Sequence, residues 1–477
     1  MHFDSKQNGY DTLFTGLNAE VPLLNGERRR FTNLDNAAST PPLKAVQKAV
    51  NDFMIYYSSV HRGTGYKSQL STHVYEMARK TVLKFVGADP ETHICIFGKN
   101  TTEAINKLAR RFPFSDKRNI VITSGMEHHS NDLPWRAAAN VVHVKLTQDG
   151  RLDESDFDQI LKQYSNRVAL VAISGASNVT GIINPIHRLA EKSHKVGAKI
   201  AVDCAQLAPH RKVDMLPIDN PAHIDYLAIS AHKLYAPFGT GALIGLKETF
   251  ENGSPDISGG GTVEFVTLDE VTWSAPPERD EAGSPNTIGA VALAAAIRQL
   301  EQIGMQVIAD HEAHITSKTL EKLLKIPGIE IFGNANPDQA FERLGVIPFN
   351  LDQISHFLLA AILGYEYGIG VRNGCFCAHP YILHILGLSP NEALIVRDQM
   401  LAGNKSEMPG LIRVSFGLYN TIEDIEILIE ALNHIKNGRY KGKYVQNRAS
   451  GEYTPEDWKP DFERYFSLTS IIDRYSL

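Results

Sequence analysis

Short apolar runs alternate with longer amphipathic stretches between about residue 31 and residue 300. The apolar runs are four to seven residues long, which is typical of strands buried on both faces of a sheet. Alternation with helical patterns favours βαβ units, so the chain is predicted to form a mostly parallel sheet covered by helices on both sides. The predicted strands are residues 94–97, 119–123, 141–144, 168–174, 199–203, 226–230 and 242–245.

A second region follows the alternating part of the chain. The helices predicted before it are residues 71–86, 102–112, 154–164, 186–195 and 288–303. A long helical stretch at 305–324 then leads to β character at 329–332 and 344–350 and to helical patterns at 354–363 and 422–436. We therefore predict four segments: an N-terminal arm (1–30), a large α/β domain (31–303), a smaller α+β domain (304–437) and a C-terminal extension (438–477).

The composition of the chain excludes several classes of protein. The chain has 477 residues, 43% of them hydrophobic, 21% charged, and a net charge of −6, which is ordinary for a globular protein and argues against a nucleic-acid partner. Apolar runs are too short for a membrane span, and the N-terminus lacks the apolar core of a signal peptide. The four cysteines are too few for a disulfide framework. We expect a cytoplasmic protein without a membrane or nucleic-acid partner.

Two predicted strands end in residues with complementary chemistry. The run at 226–230 leads to Ser230-Ala-His-Lys233, and the run at 199–203 ends in Asp203. Burial favours a neutral amine, which can form a Schiff base with an aldehyde cofactor, and ligands of parallel sheets bind beyond the carboxyl ends of the strands. Pyridoxal 5′-phosphate (PLP) requires such a lysine and a carboxylate for its ring nitrogen. Either residue alone would be an ordinary solvated residue; the pair predicts a PLP site.

Hydroxyl groups near these strand ends are candidates for holding a phosphate. Thr101 and Thr102 lie in a Gly-Lys-Asn-Thr-Thr-Glu segment between a predicted strand and a predicted helix, where helix amides bind phosphate. Taken alone, the segment is equally an ordinary helix cap. Ser230 and His232, just before Lys233, favour the phosphate interpretation.

Three more polar residues follow predicted strands. His128, in Glu-His-His, would lie flat on an aromatic cofactor ring and later relay protons; a surface histidine pair or a weak metal site is the alternative. Asn178 and Gln206 would reach the phenolic oxygen of the cofactor.

The segment Arg372-Asn-Gly-Cys375-Phe-Cys377 indicates a reactive thiol, because a nearby guanidinium lowers a thiol pKa. Zinc binding would need a second cysteine pair, which the sequence lacks, and a buried structural role is the alternative for both thiols. Cys375 would resolve a persulfide or sulfenic acid on Cys377, a hypothesis that rests on spacing alone. Cys95 and Cys204 are expected in the core.

Arg413 lies in a short alternating run at 411–420. An inward-facing arginine can bind a substrate carboxylate through two parallel hydrogen bonds. An exposed strand arginine is the alternative.

These motifs, in order, resemble the class V aminotransferase family, and most closely the group II cysteine desulfurases and selenocysteine lyases. The resemblance runs from about residue 31 to residue 437. It rests on Leu-Asp-Asn-Ala-Ala (34–38), Val-His-Arg-Gly (60–63), Thr-Thr-Glu-Ala-Ile-Asn (101–106), Glu-His-His (127–129), Ser-Asn-Val (177–179), Asp203 with Gln206, Ser230 with His232 and Lys233, Ala-Gly-Ser-Pro-Asn-Thr (282–287) and Arg372 with Gly374, Cys377 and Ala378.

The resemblance implies a fold type I PLP enzyme whose large domain holds a seven-stranded, mostly parallel sheet. Lys233 would carry the cofactor and later a proton, Asp203 would pair with the ring nitrogen, and His128 would stack on the ring. Thr101, Thr102, Ser230 and His232 would hold the phosphate, with Ser284 reaching the phosphate of a neighbouring subunit in a homodimer. Arg413, with Arg372, Ala37 and His61 nearby, would bind L-cysteine, and Cys377 would take its sulfur as a persulfide, leaving alanine.

Three departures from the family pattern affect what is expected. Arg413 follows Cys377 by 36 residues, so residues 378–412 contain an insertion. Cys375-Phe376 replaces a usual histidine pair, and Gly-Cys-Phe-Cys resembles the catalytic segment of molybdenum cofactor sulfurases. The extension beyond residue 438 has no counterpart in the minimal enzymes. We expect a cysteine desulfurase that passes sulfur to an acceptor protein; the alternatives are another class V enzyme (a C–S lyase, epimerase or aminotransferase) in which Cys377 is not the nucleophile, and a non-catalytic scaffold.

Overall fold

The computed structural model describes residues 9–61 and 63–470. Residues 1–8 of the predicted arm, Arg62 of the His-Arg-Gly motif and residues 471–477 of the predicted extension lie outside the described residues. The strands, β1 to β19 in chain order, are Glu20–Pro22, Arg28–Arg30, Thr32–Asn33, His93–Gly98, Ile120–Ser124, Asn140–Val144, Val168–Ser174, Lys199–Asp203, Tyr226–Ser230, Gly241–Leu246, Val263–Val266, Val271–Trp273, Ile329–Ile331, Val346–Leu351, Ile369–Gly370, Arg372–Gly374, Leu411–Ser415, Tyr444–Gln446 and Tyr453–Pro455.

The helices connect these strands and cover the sheets. In chain order, α1 to α13 are Lys44–Met54, Tyr66–Phe85, Thr101–Arg111, Leu133–Ala138, Glu154–Gln163, Ile186–Lys195, Lys247–Glu251, Thr287–Ile303, Met305–Leu323, His356–Tyr367, His379–Ile385, Pro390–Leu401 and Ile422–Lys436. Short 3₁₀ turns occupy Gly9–Leu13, His129–Asn131, Ala231–Lys233, Glu278–Asp280 and Pro337–Glu342.

The largest sheet has seven strands in the order β4-β10-β9-β8-β7-β5-β6. Five neighbouring strands, β9, β8, β7, β5 and β6, pair in parallel. Strand β10 runs antiparallel to both β9 and β4. Every residue of β7 and of β9 is buried, which is why their sequences are apolar throughout. The predicted mostly parallel seven-stranded α/β sheet is confirmed.

Helices cover both faces of this sheet, as the alternating pattern predicts. Leu227 and Ile229 of β9 face a core shared with α1, α2, α5, α6 and α8, whereas Tyr226 and Ala228 face a core shared with α3, α4 and α7. Successive side chains of a strand point to opposite faces, so one apolar strand supplies both cores.

A second, four-stranded antiparallel sheet has the order β13-β14-β17-β16 and its own core with α9, α10 and α13. The short strand β3 pairs with β15, and Leu34 beside it packs into this second core. The N-terminal part of the chain therefore passes between the two sheets. The segment boundaries given above remain a prediction.

The structure contains elements that the sequence pattern did not indicate. The 378–412 segment holds α11 and α12, and α12 has no buried residue, so no apolar face marks it in the sequence. The segment after residue 438 forms the hairpin β18–β19, in which the Tyr444 hydroxyl donates to Glu366 at 3.0 Å. In the described part of the chain, none of the helices combines the length and the apolar character that crossing a bilayer requires.

A buried carboxylate links the two sheets. Glu312, on α9, lies 2.9 Å from His210 Nδ1 and 2.5 Å from Arg211, both of which follow β8. It also accepts the Gly345 amide at 2.8 Å, just before β14. Burial acts to raise the pKa of Glu312, but His210 and Arg211 together lower it to about 2. The carboxylate therefore stays charged and holds groups from both regions in place.

We expect Glu312→Gln to lower the free energy of unfolding by about 3 kcal/mol at pH 7, since it leaves the largely buried Arg211 guanidinium without its partner. The folded-state pKa lies below the unfolded value of about 4.3, so this stabilisation is complete above that pH and is lost as the pH falls toward about 2. Urea unfolding at pH 7 and pH 3.5 measures both values. Glu191→Gln, on the exposed α6 pair with Lys195, is the matched control and should leave stability unchanged at both pH values, because water screens an exposed pair. An equal loss at both pH values would contradict the expectation.

Candidate active site

A cavity of about 470 Å³ opens at the carboxyl ends of β7, β8 and β9 and at the start of α3. It brings together every predicted site residue except Ser284 and His61. Its lining includes Ala37, Thr101, Thr102, His128, Asn178, Asp203, Gln206, Ser230, His232, Lys233, Arg372, Cys377 and Arg413. The segments that follow β7, β8 and β9 converge here because the carboxyl ends of parallel strands meet at one edge of the sheet. Arg372, Cys377 and Arg413 reach the same cavity from β16, the loop after it and β17.

Lys233 and Asp203 come from neighbouring strands. Asp203 is the last residue of β8 and pairs in register with Ala228 of β9; Lys233 ends the 3₁₀ turn that follows β9. Burial lowers the pKa of Lys233 to about 8, although the Asp203 charge acts in the opposite direction. Burial likewise raises the pKa of Asp203, whose Oδ1 accepts the Ala205 amide at 2.9 Å. The site therefore holds an amine that is partly neutral near pH 8.

His128 presents a neutral ring to the same cavity. Burial, together with the nearby charges of Lys233 and His129, lowers its pKa to about 3. Its Nδ1 accepts the Ser130 amide at 3.1 Å, so the proton of the neutral ring is on Nε2. A planar, uncharged imidazole with one free donor is suited to packing on an aromatic ligand.

The N-terminus of α3 forms another wall. Asn100 caps this eleven-residue helix by accepting the Glu103 amide at 3.0 Å, so the predicted alternative of a helix cap also occurs, at Asn100. The Thr101 amide and hydroxyl both lie 2.8 Å from the Ser230 hydroxyl, and the Thr102 hydroxyl lies 2.7 Å from that of Ser130. Hydroxyls and helix amides thus cluster where an anion would be stabilised.

Asn178 and Gln206 line the cavity, but their amide groups also hold backbone. Asn178 Nδ2 donates to the Phe376 carbonyl at 2.8 Å, and Gln206 Nε2 donates to the Ala37 carbonyl at 2.8 Å. The sequence did not indicate these contacts, because both partners are more than 160 residues away along the chain.

Cys377 lies on a loop with an unusual backbone. Phe376 and Cys377 have φ values of +50° and +56°, in the left-handed region that non-glycine residues enter at a cost of about 1–3 kcal/mol each. The Asn178 contact and the His129 amide, which donates to the Cys377 carbonyl at 2.8 Å, hold this conformation. The Cys377 side chain is exposed at the cavity.

The neighbouring thiol has a different environment. Cys375 is buried, and its Sγ donates to the Pro409 carbonyl at 3.1 Å. Burial raises its pKa to about 11, so it is protonated at neutral pH. Cys95 and Cys204 are buried in the large core regions, as expected.

Arg413 is a buried strand residue of β17, not an exposed one. Its guanidinium lies 2.9 Å from Asp35 Oδ1, donates to the Asn178 carbonyl at 2.9 Å, and packs 4.8 Å from the centre of the Phe376 ring. Its Nε has no hydrogen-bond partner among the described residues. Arg372 pairs with Arg413 across β16 and β17 and lies 3.5 Å from the same Asp35. Asp35, whose role the sequence did not assign, therefore orients both arginines.

Ser284 and His61 lie apart from this cavity. Both line a second cavity of about 570 Å³, together with the 58–60 segment and Glu278, which is 4.0 Å from His61. Within one chain, the structure does not bring these two residues to Lys233.

The sequence and the fold of this chain are similar to those of known proteins. The family model "Aminotransferase class-V" matches residues 32–428. A probable cysteine desulfurase of Streptomyces coelicolor is 34% identical over 421 residues, covering 86% of this chain and 93% of that protein. The solved apo structure of the cysteine desulfurase of Thermococcus onnurineus is 32% identical, with a TM-score of 0.73, and covers 86% of this chain and 95% of that one. A cysteine desulfurase structure from Escherichia coli is 28% identical, with a TM-score of 0.72, over 89% and 97% of the two chains. The chain belongs to the class V aminotransferase family.

Proposed function

We propose that this protein is a PLP-dependent cysteine desulfurase, which converts L-cysteine to L-alanine and receives the sulfur on Cys377. The proposal is supported by relatives named as cysteine desulfurases over most of their length. The observation that carries it is one cavity that contains the half-buried Lys233 amine and the buried Asp203 carboxylate, together with the exposed Cys377 thiol and the Arg413 guanidinium.

The residues present fit PLP. Asp203 is a buried carboxylate whose hydrogen bond at Oδ1 leaves the group able to accept from a protonated ring nitrogen. Thr101, Thr102, Ser230 and His232 would hold the phosphate at the start of α3, and His128 would pack on the ring. Lys233 would bind the aldehyde carbon. When bound, PLP supplies an electron sink that makes the bonds around the substrate α-carbon easier to break.

Arg413 is suited to binding the substrate carboxylate. It is fully buried, it is held from two sides by Asp35 and the Asn178 carbonyl, and its Nε has no partner among the described residues. A guanidinium fixed in this way loses little conformational entropy when it binds an anion. Arg372, which is about half exposed and shares Asp35, would stand at the entrance of the cavity.

Cys377 would receive the sulfur directly. Its thiolate attacks the sulfur of the substrate, so that an S–S bond forms while the substrate C–S bond breaks, and the β-carbon takes up a proton as alanine is completed. The transferred sulfur is oxidised from the thiol to the sulfane level and the substrate carbon is reduced, which balances the reaction without an external oxidant. Lys233, with a pKa near 8, is the group in the cavity suited to moving protons at the substrate carbons.

Assembly and location follow from the same proposal. Ser284 and His61 lie in a cavity apart from Lys233, which favours a homodimer in which they complete the active site of the other subunit. A persulfide on an exposed loop favours transfer to an acceptor protein. Four cysteines, all free, favour a reducing compartment, and we propose that the enzyme acts in the cytoplasm.

We expect Cys377→Ala to abolish formation of alanine and sulfide from L-cysteine while the absorbance of bound PLP is retained, since the variant removes the sulfur acceptor and leaves the cofactor residues intact. Cys375→Ser is the matched control: a serine can donate to the Pro409 carbonyl as the thiol does, so alanine formation should stay within about twofold of wild type. Alanine from Cys377→Ala, or pyruvate from the wild type, would instead favour a lyase or another class V reaction.

The pKa of Lys233 predicts how PLP uptake by the cofactor-free protein depends on pH. Burial lowers this pKa to about 8, so the neutral amine rises from roughly a tenth at pH 7 to roughly nine-tenths at pH 9. The rate of PLP incorporation, followed by absorbance, should therefore rise about tenfold across this range and level off above pH 9. Lys233→Arg should show no rise of this rate with pH, because it lacks the amine that binds the aldehyde. A rate that keeps rising to pH 10.5, as for a solvated lysine, would contradict the lowered pKa.

Arg413→Lys should lower kcat/KM for L-cysteine by about 10–100-fold, the equivalent of one or two charge-assisted hydrogen bonds. A lysine keeps the charge but lacks the planar guanidinium, whose separate nitrogens contact Asp35 and the Asn178 carbonyl and leave a donor for a carboxylate. Steady-state alanine formation measures the effect. Arg397→Lys, on exposed α12, should leave kcat/KM unchanged. Equal kinetics for Arg413→Lys and wild type would remove Arg413 from substrate binding.

A further inference from the structure

Two histidines and an aspartate form a cluster at the end of the large sheet opposite to the active site. His194 lies in the last turn of α6, and His223 and Asp225 lie in the loop that leads into β9. His194 Nε2 is 2.9 Å from Asp225 Oδ2, and His223 Nε2 is 3.3 Å from Asp225 Oδ1. One ligand atom from each of the three residues lies within 4.8 Å of the others.

The other nitrogen of each ring fixes where its proton lies. His194 Nδ1 is 2.7 Å from the Pro221 carbonyl, and His223 Nδ1 is 2.6 Å from the Asn220 carbonyl. A carbonyl oxygen only accepts, so both Nδ1 atoms carry hydrogen. In a neutral ring, Nε2 then carries no hydrogen and has a free lone pair. In both histidines this lone pair faces an oxygen of Asp225.

A proton on a histidine Nε2 is the alternative to a metal ion here, since the hydrogen bond to Asp225 raises the pKa of His223. A proton on each Nε2 would make two imidazolium rings stacked with centroids 4.2 Å apart. Lys199 Nζ, 3.3 Å from Asp225 Oδ1, would add a third positive charge next to them. If only one ring is protonated, the other still directs a lone pair at Asp225. A cation between the three ligand atoms satisfies both nitrogens and the carboxylate together.

We propose that His194, His223 and Asp225 bind a divalent transition-metal ion, with Zn²⁺ as the best match. Two imidazole nitrogens and a carboxylate oxygen form a typical three-residue ligand set for zinc. Histidine ligands of metals commonly donate their other N–H to a backbone carbonyl, as both rings do here. The Ile200 amide, which donates to Asp225 Oδ2 at 2.8 Å, orients the carboxylate.

Two neighbouring residues fit the same site. Lys199 has a second partner, the exposed Glu248 at 3.5 Å, so it can leave Asp225 when a metal ion supplies the positive charge. His93, at the first position of β4, is buried, and its Nε2 has no hydrogen-bond partner among the described residues. Its imidazole is close enough for the charges of Asp225 and His223 to act on it, so the charge of a metal ion bound by the three ligands would act on it as well.

The site would stabilise the fold and take no part in the reaction. It joins the end of α6 to the starts of β8 and β9, whereas Asp203 and Lys233 lie at the other ends of the same two five-residue strands, about 15 Å away at 3.3 Å per residue. Bound metal would therefore tie a helix to the central strands and raise the stability of the folded chain.

The test titrates the PLP-loaded protein with Zn²⁺ by calorimetry and thermal unfolding, in a Cys375→Ser/Cys377→Ser background that removes the thiols at the active site. We expect about one equivalent of zinc per chain and a Tm that rises with free zinc. His223→Asn and Asp225→Asn should each weaken binding by about tenfold or more. Lys199→Met, which removes the competing cation from a half-exposed position, should strengthen binding.

Two controls make the result specific. His61→Asn disrupts a second group of possible ligands among the described residues, His61 with Glu76 and Glu278, and should leave the titration unchanged. Co²⁺ in place of zinc should give the visible bands of nitrogen and oxygen ligation without a thiolate charge-transfer band. No zinc binding, or binding that survives both His223→Asn and Asp225→Asn, would overturn the proposal. If His223→Asn and Asp225→Asn fold poorly, Lys199→Met decides instead: an unchanged affinity for zinc in this variant would overturn the proposal.

Discussion

The parallel pairing of β8 with β9 is the constraint on which the active site depends. Their register places Asp203 opposite Ala228, and the turn after β9 then delivers Lys233 to the same cavity. Burial disfavours both charges, raising the pKa of Asp203 and lowering that of Lys233, while the attraction between the two groups opposes each shift. Because burial outweighs the attraction of the carboxylate, the pKa of Lys233 falls to about 8 and the amine is partly neutral near that pH.

The second constraint is that the seven-stranded and the four-stranded sheet must keep a fixed position relative to each other. Arg413 belongs to the four-stranded sheet, yet its guanidinium contacts the carbonyl of Asn178, which follows β7 of the large sheet. The side chain of Asn178 holds the Phe376 carbonyl, beside a Cys377 in a left-handed conformation. Asp35, on the segment that passes between the sheets, pairs with Arg413 and Arg372. A small movement between the sheets would therefore change the position of the thiol and of both arginines at once.

The large sheet shows most clearly what the hydrophobic pattern predicts. Strands β7, β8 and β9 and helix α6 begin and end where the sequence indicated, because continuous apolar runs and strong amphipathic periods leave little choice. Helix α12 was not indicated, since a helix without buried residues has no periodic apolar face. The β18–β19 hairpin was expected only as a tail, because its partner, Glu366 on α10, is distant in the chain.

The sequence by itself determined the class of fold, the family and the set of residues at the strand ends, because strand identity and motif chemistry are local properties of the chain. Only the tertiary structure decided that Asp35 pairs with both arginines, that Asn178 and Gln206 hold distant backbone, that Cys375 is buried while Cys377 is exposed, and that Ser284 and His61 share a separate cavity. Each of these depends on contacts between segments far apart in sequence, and on how much water the packed chain excludes around each group. A local pattern of hydrophobic and polar residues specifies neither the contacts between distant segments nor the exclusion of water.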